Sequence, residues 1–110
     1  MDIKKKLTKK SPAAAPYVVV RAYSGVFFGR LLARRVTAAG AEADLADVRQ
    51  VWQWTSAGLA KPVLTCGDLA IRGVGTGSKV SDPAPVATIS DIKAFWACTP
   101  EAVRVLSEIL

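Results

Sequence analysis

The chain has 110 residues, which suits one compact domain and leaves no room for a separate catalytic lobe. With 51% hydrophobic and 22% charged residues, it can bury a core and lies far from the composition of a disordered polypeptide. The formal charge is +6, with no histidine and two cysteines, which excludes His-based acid–base catalysis and the usual zinc sites.

The charge is concentrated at the start. Residues 1–10, MDIKKKLTKK, carry Lys4, Lys5, Lys6, Lys9 and Lys10 against one aspartate, whereas the rest of the chain holds ten basic and eight acidic side chains. A lysine cluster of this kind contacts phosphate, acidic protein or anionic lipid by releasing counterions, without needing exact geometry; a solvated tail is the alternative. The following SPAAAP is too short and too broken by Pro12 and Pro16 to be the apolar run of ~7–15 residues that an export signal requires. No apolar run approaches the ~18 residues of a membrane span. The expectation is a soluble intracellular product with no membrane role, organised as a basic arm and linker over 1–16 and a single domain over 17–110.

YVVVRAY, from Tyr17, is β-branched and aromatic and predicts a strand with Val18, Val20 and Ala22 on one face and Val19, Arg21 and Tyr23 on the other. Ser24 and Gly25 make a turn into VFFGRLLARRV, where Gly29 marks a bulge or a close backbone approach. A second turn near Gly40 returns the chain into RQVWQW, so residues 17–54 predict a three-stranded antiparallel meander. Residues 44–54 also fit a helix capped by Asp44, with Leu45, Val48, Val51 and Trp52 as its stripe. Their β-branched and aromatic content and the abrupt TSAG ending favour a strand.

Residues 61–85 read as loop, with one short helical or extended piece at Asp68 to Arg72, and VATISDIKAFWAC reads as a further strand whose two faces are not cleanly segregated. The clearest element comes last. Thr99 is an N-cap, Pro100 occupies the first helical position, Glu101 favours the N-terminal dipole, and Ala102, Val105, Leu106 and Ile109 form one apolar stripe. The fold class is therefore α+β, a small antiparallel β-sheet with a C-terminal α-helix packed on it and an extended basic N-terminal arm.

Motifs with chemical potential are few. GVGTGSK, Gly73 to Lys79, has the glycines and lysine of a phosphate loop but the wrong spacing, since Ser78 intervenes before Lys79 and Val80 follows; it reads as a surface loop. The carboxylates are scattered over turns and caps without forming an acid–base pair. Cys66 and Cys98 lack a local cationic partner and read as structural thiols. No catalytic, cofactor-binding or metal-ligating residue is assigned. What remains is aromatics beside arginines: Arg21 and Tyr23 on the first strand, Phe27, Phe28 and Arg30 on the second, and Arg49, Trp52 and Trp54 on the third. On adjacent strands they would make a platform for bases and phosphates; in the plainer alternative Trp52 and Phe28 anchor the core. A regular strand would place Trp52 and Trp54 together and Arg49 opposite them.

Three blocks, YVVVRAYSGVFFGRL, ADVRQVWQWTSAGL and ISDIKAFWACTPEA, resemble in order the blocks of an uncharacterised small protein family encoded by phages and prophages. Its pattern is roughly Y-V-x-V-R-x-Y-S-x-G-V-F-x-G, A-R-R-x-W-x-W-x-G-A and C-T-x-E-A. Arg21, Tyr23, Ser24, Gly25, Gly29, Arg49, Trp52, Trp54, Cys98 and Thr99 agree with it. Gln50 stands where a second arginine is usual, Thr55 to Gly58 replace the usual turn, and residues 61–85 diverge. The resemblance implies a phage or prophage origin and no transferable activity. Two expectations follow, neither enzymatic. One is an accessory structural protein of the virion, capsid-associated or decorating, with phage structural proteins or further copies of itself as partners and an arm that touches neighbouring subunits or nucleic acid. The other is a soluble protein of the host cytoplasm that sequesters a nucleotide or inhibits a host factor through Arg49, Trp52 and Trp54.

Overall fold

The computed structural model describes residues 16–109; Lys4, Lys5, Lys6, Lys9 and Lys10 lie outside them. The expected meander is present as β1 (Tyr17–Ala22), β2 (Gly25–Thr37) and β3 (Gly40–Gln53). Residues 44–53 are thus strand, not helix. The β1–β2 and β2–β3 connections are tight turns, and each returns through a glycine at positive φ, Gly25 at 145° and Gly40 at 121°, where a side chain would be strained.

A two-residue strand, β4 (Lys79–Val80), pairs with the end of β3, and β5 (Ala84–Ala97) runs antiparallel to two partners at once. Its first half lies on β3, from Ala84 opposite Val48 to Ile89 opposite Ala43, and its second half on β1, from Ile92 opposite Ala22 to Ala97 opposite Val18. Since β2 also pairs with both β1 and β3, strands β1, β2, β3 and β5 close into a ring. Val18, Val20, Ala22, Ala43, Leu45, Val48, Ile89 and Ile92, with Phe27 and Leu31 of β2 against them, form one buried cluster. Every ring strand contributes to it, so it is the ring's interior.

Two aspartates mark irregularities in the ring strands. Asp47 and Asp91 have φ of 49° and 52°, a left-handed conformation that aspartate tolerates better than most side chains, and each lies where the strand register shifts or the alternation breaks. The extra residue inverts the inside–outside phase. Leu45 and Val48, three positions apart, therefore both point inward, as do Ile89 and Ile92. This is why the faces of β5 look mixed in the sequence.

A second core lies outside the ring. Val19 of β1, Phe28 of β2 and Val51 of β3 pack against Val63, Leu69, Ala70, Val74 and Leu106, covered by α1 (Cys66–Arg72) and α2 (Pro100–Glu108). β1 is consequently buried on both faces, with Val18, Val19 and Val20 each at most 6% exposed. The helical piece expected at Asp68 begins two residues earlier because Thr65 and Asp68 form a reciprocal capping box. In α2, the Thr99 hydroxyl accepts from the Ala102 amide and donates to the Ile71 carbonyl, 2.6 Å away, joining the start of one helix to the end of the other. Ala102 and Leu106 are fully buried, and a leucine so placed stabilises the fold by about 1.5–3 kcal/mol. Among the described residues no helix is long and apolar enough to cross a membrane.

Candidate functional site

The structure separates the three residues of the Arg49–Trp54 stretch. Arg49 is only 8% exposed; its guanidinium donates to the Ile109 carbonyl at 2.6 Å, tying the end of α2 to the outside of the ring. It borders a cavity of about 220 Å³ shared with Tyr17, Phe28, Asp47, Pro83 and Ser107. There Tyr17 stacks on Phe28 with centroids 4.9 Å apart, and Arg30 donates to the Tyr17 hydroxyl and pairs with Asp47. These arginines hold strands and helix together.

Trp54 is the aromatic anchor. It packs into the outer core, and its indole N–H donates to the Val63 carbonyl at 3.2 Å. Trp52 is not an anchor: it is 68% exposed. The cause is local. Alternation along β3 puts Trp52 on the face opposite buried Val51, and the register break between the Val51–Val80 and Gln53–Lys79 pairs shifts the phase after it, so that Trp54 returns to the core that receives Val51. Arg49 and Trp52 do not meet. Arg21 and Tyr23 stand apart from both, at the end of the β1–β2 hairpin, exposed, with Tyr23 85% open to solvent.

Trp52 instead belongs to a groove that the sequence reading did not single out. Gln50, Trp52, Ser78, Lys79, Val80 and Ser81 line an open space of about 570 Å³, and the Lys79 ammonium lies 5.9 Å from the centre of the indole. Hydrogen bonds fix the floor. Gln50 and Ser81 exchange two, the Gln50 amide to the Ser81 hydroxyl at 2.8 Å and the Ser81 amide to the Gln50 carbonyl at 2.9 Å, while the Ser78 hydroxyl accepts from the Thr55 amide at 2.9 Å. The signal for this site was distributed. Lys79 and Ser81 lie in the region that reads as loop, and only the β3–β4 pairing brings them to Trp52.

The glycine-rich segment does not form an anion cradle. The amides of Gly73, Gly75, Thr76 and Ser78 donate to carbonyls of Leu69, Thr55, Ala57 and Gly75, so they are turned into the protein. Both thiols are also poorly suited to attack: burial pushes the Cys98 thiol up to about 12 and raises that of Cys66, against a smaller opposing influence from Arg21. Three carboxyls are held below their ordinary range by structural partners: Asp44 by Arg35 and Thr88, Asp68 by the Leu64 amide and Arg72, and Glu101 by Arg104. Among the described residues, no three or more Cys, Asp or Glu side chains group as metal ligands.

A second surface lies at the far end of the β2–β3 hairpin. β1 accompanies β2 only as far as Arg30, and the Pro16 carbonyl accepts from the Leu31 amide at 2.8 Å. Beyond that point, among the described residues, the outer side of β2 from Leu32 to Thr37 has no strand beside it. Leu32 and Val36 are exposed there, Val36 by 85%. The charges that would guard this edge are engaged: Arg35 with Glu42 and Asp44, Arg34 over the Phe95 ring at 4.1 Å.

Compared with known proteins, residues 15–106 match a family model described as a domain of unknown function, DUF6948. No curated protein and no solved structure matches the chain.

Proposed function

We propose, for a chain that belongs to the DUF6948 family, a non-enzymatic role as an accessory structural module of a phage particle. In this role the basic arm contacts neighbouring subunits or nucleic acid, and the domain docks on other phage structural proteins or on further copies of itself. The observation that supports it is the outer side of β2 from Leu32 to Thr37, which has no strand beside it among the described residues, with Val36 exposed and both neighbouring arginines already occupied. Monomeric proteins blunt such edges with free charges, proline or a covering element, whereas strand addition along an open edge supplies main-chain hydrogen bonds to a partner. The phage setting rests on the resemblance of the three sequence blocks. The test is mass spectrometry of purified particles from a phage encoding the chain, alongside a particle preparation carrying Val36→Lys. The chain is expected in stoichiometric amounts in the first and depleted in the second. Absence from wild-type particles would remove the virion role.

A further inference from the structure

The groove beneath Trp52 has a composition that belongs to neither core. An indole 68% exposed is costly to leave in water, and here strand alternation turns it out opposite the buried Val51. Among the described residues Lys79 is the only charged side chain lining the groove, and its ammonium sits beside the ring. The other walls supply a side-chain amide, two serine hydroxyls and the apolar Val80. The site is built in advance, because Ser78 and Ser81 are both held by backbone partners. Gly25, at φ +145°, leaves room for the Gln50 amide: a Cβ there would come within 2.8 Å of the Gln50 side-chain nitrogen.

From this geometry we infer that the Trp52–Lys79 groove is a binding site for single-stranded nucleic acid, in which one base stacks on Trp52 and Lys79 meets the adjoining phosphate. An exposed aromatic ring beside a lysine, with no carboxylate in the lining among the described residues, is what a flexible, anionic, π-faced strand requires, and such stacking tolerates any base. Lys79 is itself exposed, so its ammonium can leave the ring for a phosphate oxygen without breaking a hydrogen bond to any of the described residues. Gln50, Ser78 and Ser81 place donors and acceptors around the base edge. The chain's +6 charge favours the encounter at low salt. Arg49 and Trp54 take no part. The inference is independent of assembly, since the groove and the β2 edge are made of different residues.

The experiment is fluorescence anisotropy of a labelled oligothymidylate of about 12 nucleotides with the full chain, at several salt concentrations. Trp52→Ala is expected to weaken binding about tenfold, within the range observed for losing one stacked base, and Trp52→Phe to retain most of it. Lys79→Ala is expected to lower the slope of log affinity against log salt by about 0.7, the value for one phosphate contact on a single strand. Neither exposed substitution should alter the circular dichroism spectrum. Unchanged affinity in Trp52→Ala, an unchanged slope in Lys79→Ala, or no binding by the wild-type chain would each overturn the inference. Tighter binding of a labelled polyglutamate than of the oligonucleotide, with the same loss in Trp52→Ala, would overturn it in favour of an acidic protein partner.

Discussion

Gly75 is the position where one added methyl group should matter most. A Cβ built there would stand 2.4 Å from the Ala57 nitrogen, 2.6 Å from the Ala57 oxygen and 2.7 Å from the Ser56 carbonyl carbon. All three are backbone atoms, so no side chain can rotate away, and the gap is about 1 Å or more short of van der Waals contact. Relief requires the two segments to part. That movement breaks the bond from the Gly75 amide to the Thr55 carbonyl at 2.8 Å and that from the Thr76 amide to the Ala57 carbonyl at 3.0 Å. Overpacking of about 1–3 kcal/mol and about 1 kcal/mol for each lost bond put Gly75→Ala at about 3–5 kcal/mol. This is a large part of the about 5–15 kcal/mol that typically holds a domain together. Gly77 is the internal control: at φ +88° it has nothing within 4 Å of a Cβ, so Gly77→Ala should cost only the left-handed backbone term of about 1–2 kcal/mol. Urea unfolding followed by tryptophan fluorescence measures both. A Gly75→Ala protein within about 1 kcal/mol of wild type, or no more destabilised than Gly77→Ala, would refute the view of GVGTGSK as a structural clasp on the 55–57 turn.

Three other outcomes are expected. Trp54→Ala should destabilise the fold by about 3 kcal/mol, as truncation of a packed aromatic does, whereas Trp52→Ala should remain within about 0.5 kcal/mol of wild type; equal midpoints for the two on thermal melting would contradict their assignment to core and surface. Thr99→Ala should cost about 1–2 kcal/mol, since one hydroxyl caps α2 and also bonds the Ile71 carbonyl, while Thr99→Ser should recover most of that in the same melt. Burial raises the Cys98 thiol to about 12, so the folded state keeps its proton where the unfolded chain, with a thiol near the ordinary ~8.5, gives it up. The associated stability is present below the unfolded value and is lost as pH rises from there toward about 12. Iodoacetamide at pH 8.5 should therefore label Cys98 slowly until denaturant is added, and prompt labelling in native buffer would count against it.

The sequence made the local elements legible and hid the long-range ones. The two hairpins announce themselves because Gly25 and Gly40 occupy backbone conformations that other residues avoid. α2 announces itself because Thr99, Pro100 and Glu101 each act within one turn. The start of α1 was readable too: Thr65 followed by Asp68 is a capping-box spacing, obscured by the glycines and prolines around it. Ring closure was not readable, because it depends on β5 choosing β1 and β3 as partners, which periodicity along one strand does not encode. The bulges at Asp47 and Asp91 defeat period-two reasoning outright, because one left-handed residue reverses every assignment after it. Trp52 and Trp54 illustrate the result. Their spacing promises a shared face, and a register break at Trp52 together with the end of the strand at Gln53 gives them opposite fates.

The double duty of β5 also sets a schedule for making the molecule. Val18 and Ala97 are register partners from opposite ends of the domain, so the ring belongs among the slow, high-contact-order topologies that fold in about milliseconds to seconds. On the ribosome the meander through Gln53 exists before its closing strand does. At about 5–20 residues per second, the interval between the emergence of Trp54 and that of Ala97 is about 2–9 s, during which the inner sides of β1 and β3 are open to any other nascent strand. The last third of the chain thus acts as an intramolecular guard, and its arrival decides whether the meander becomes a domain or an aggregate.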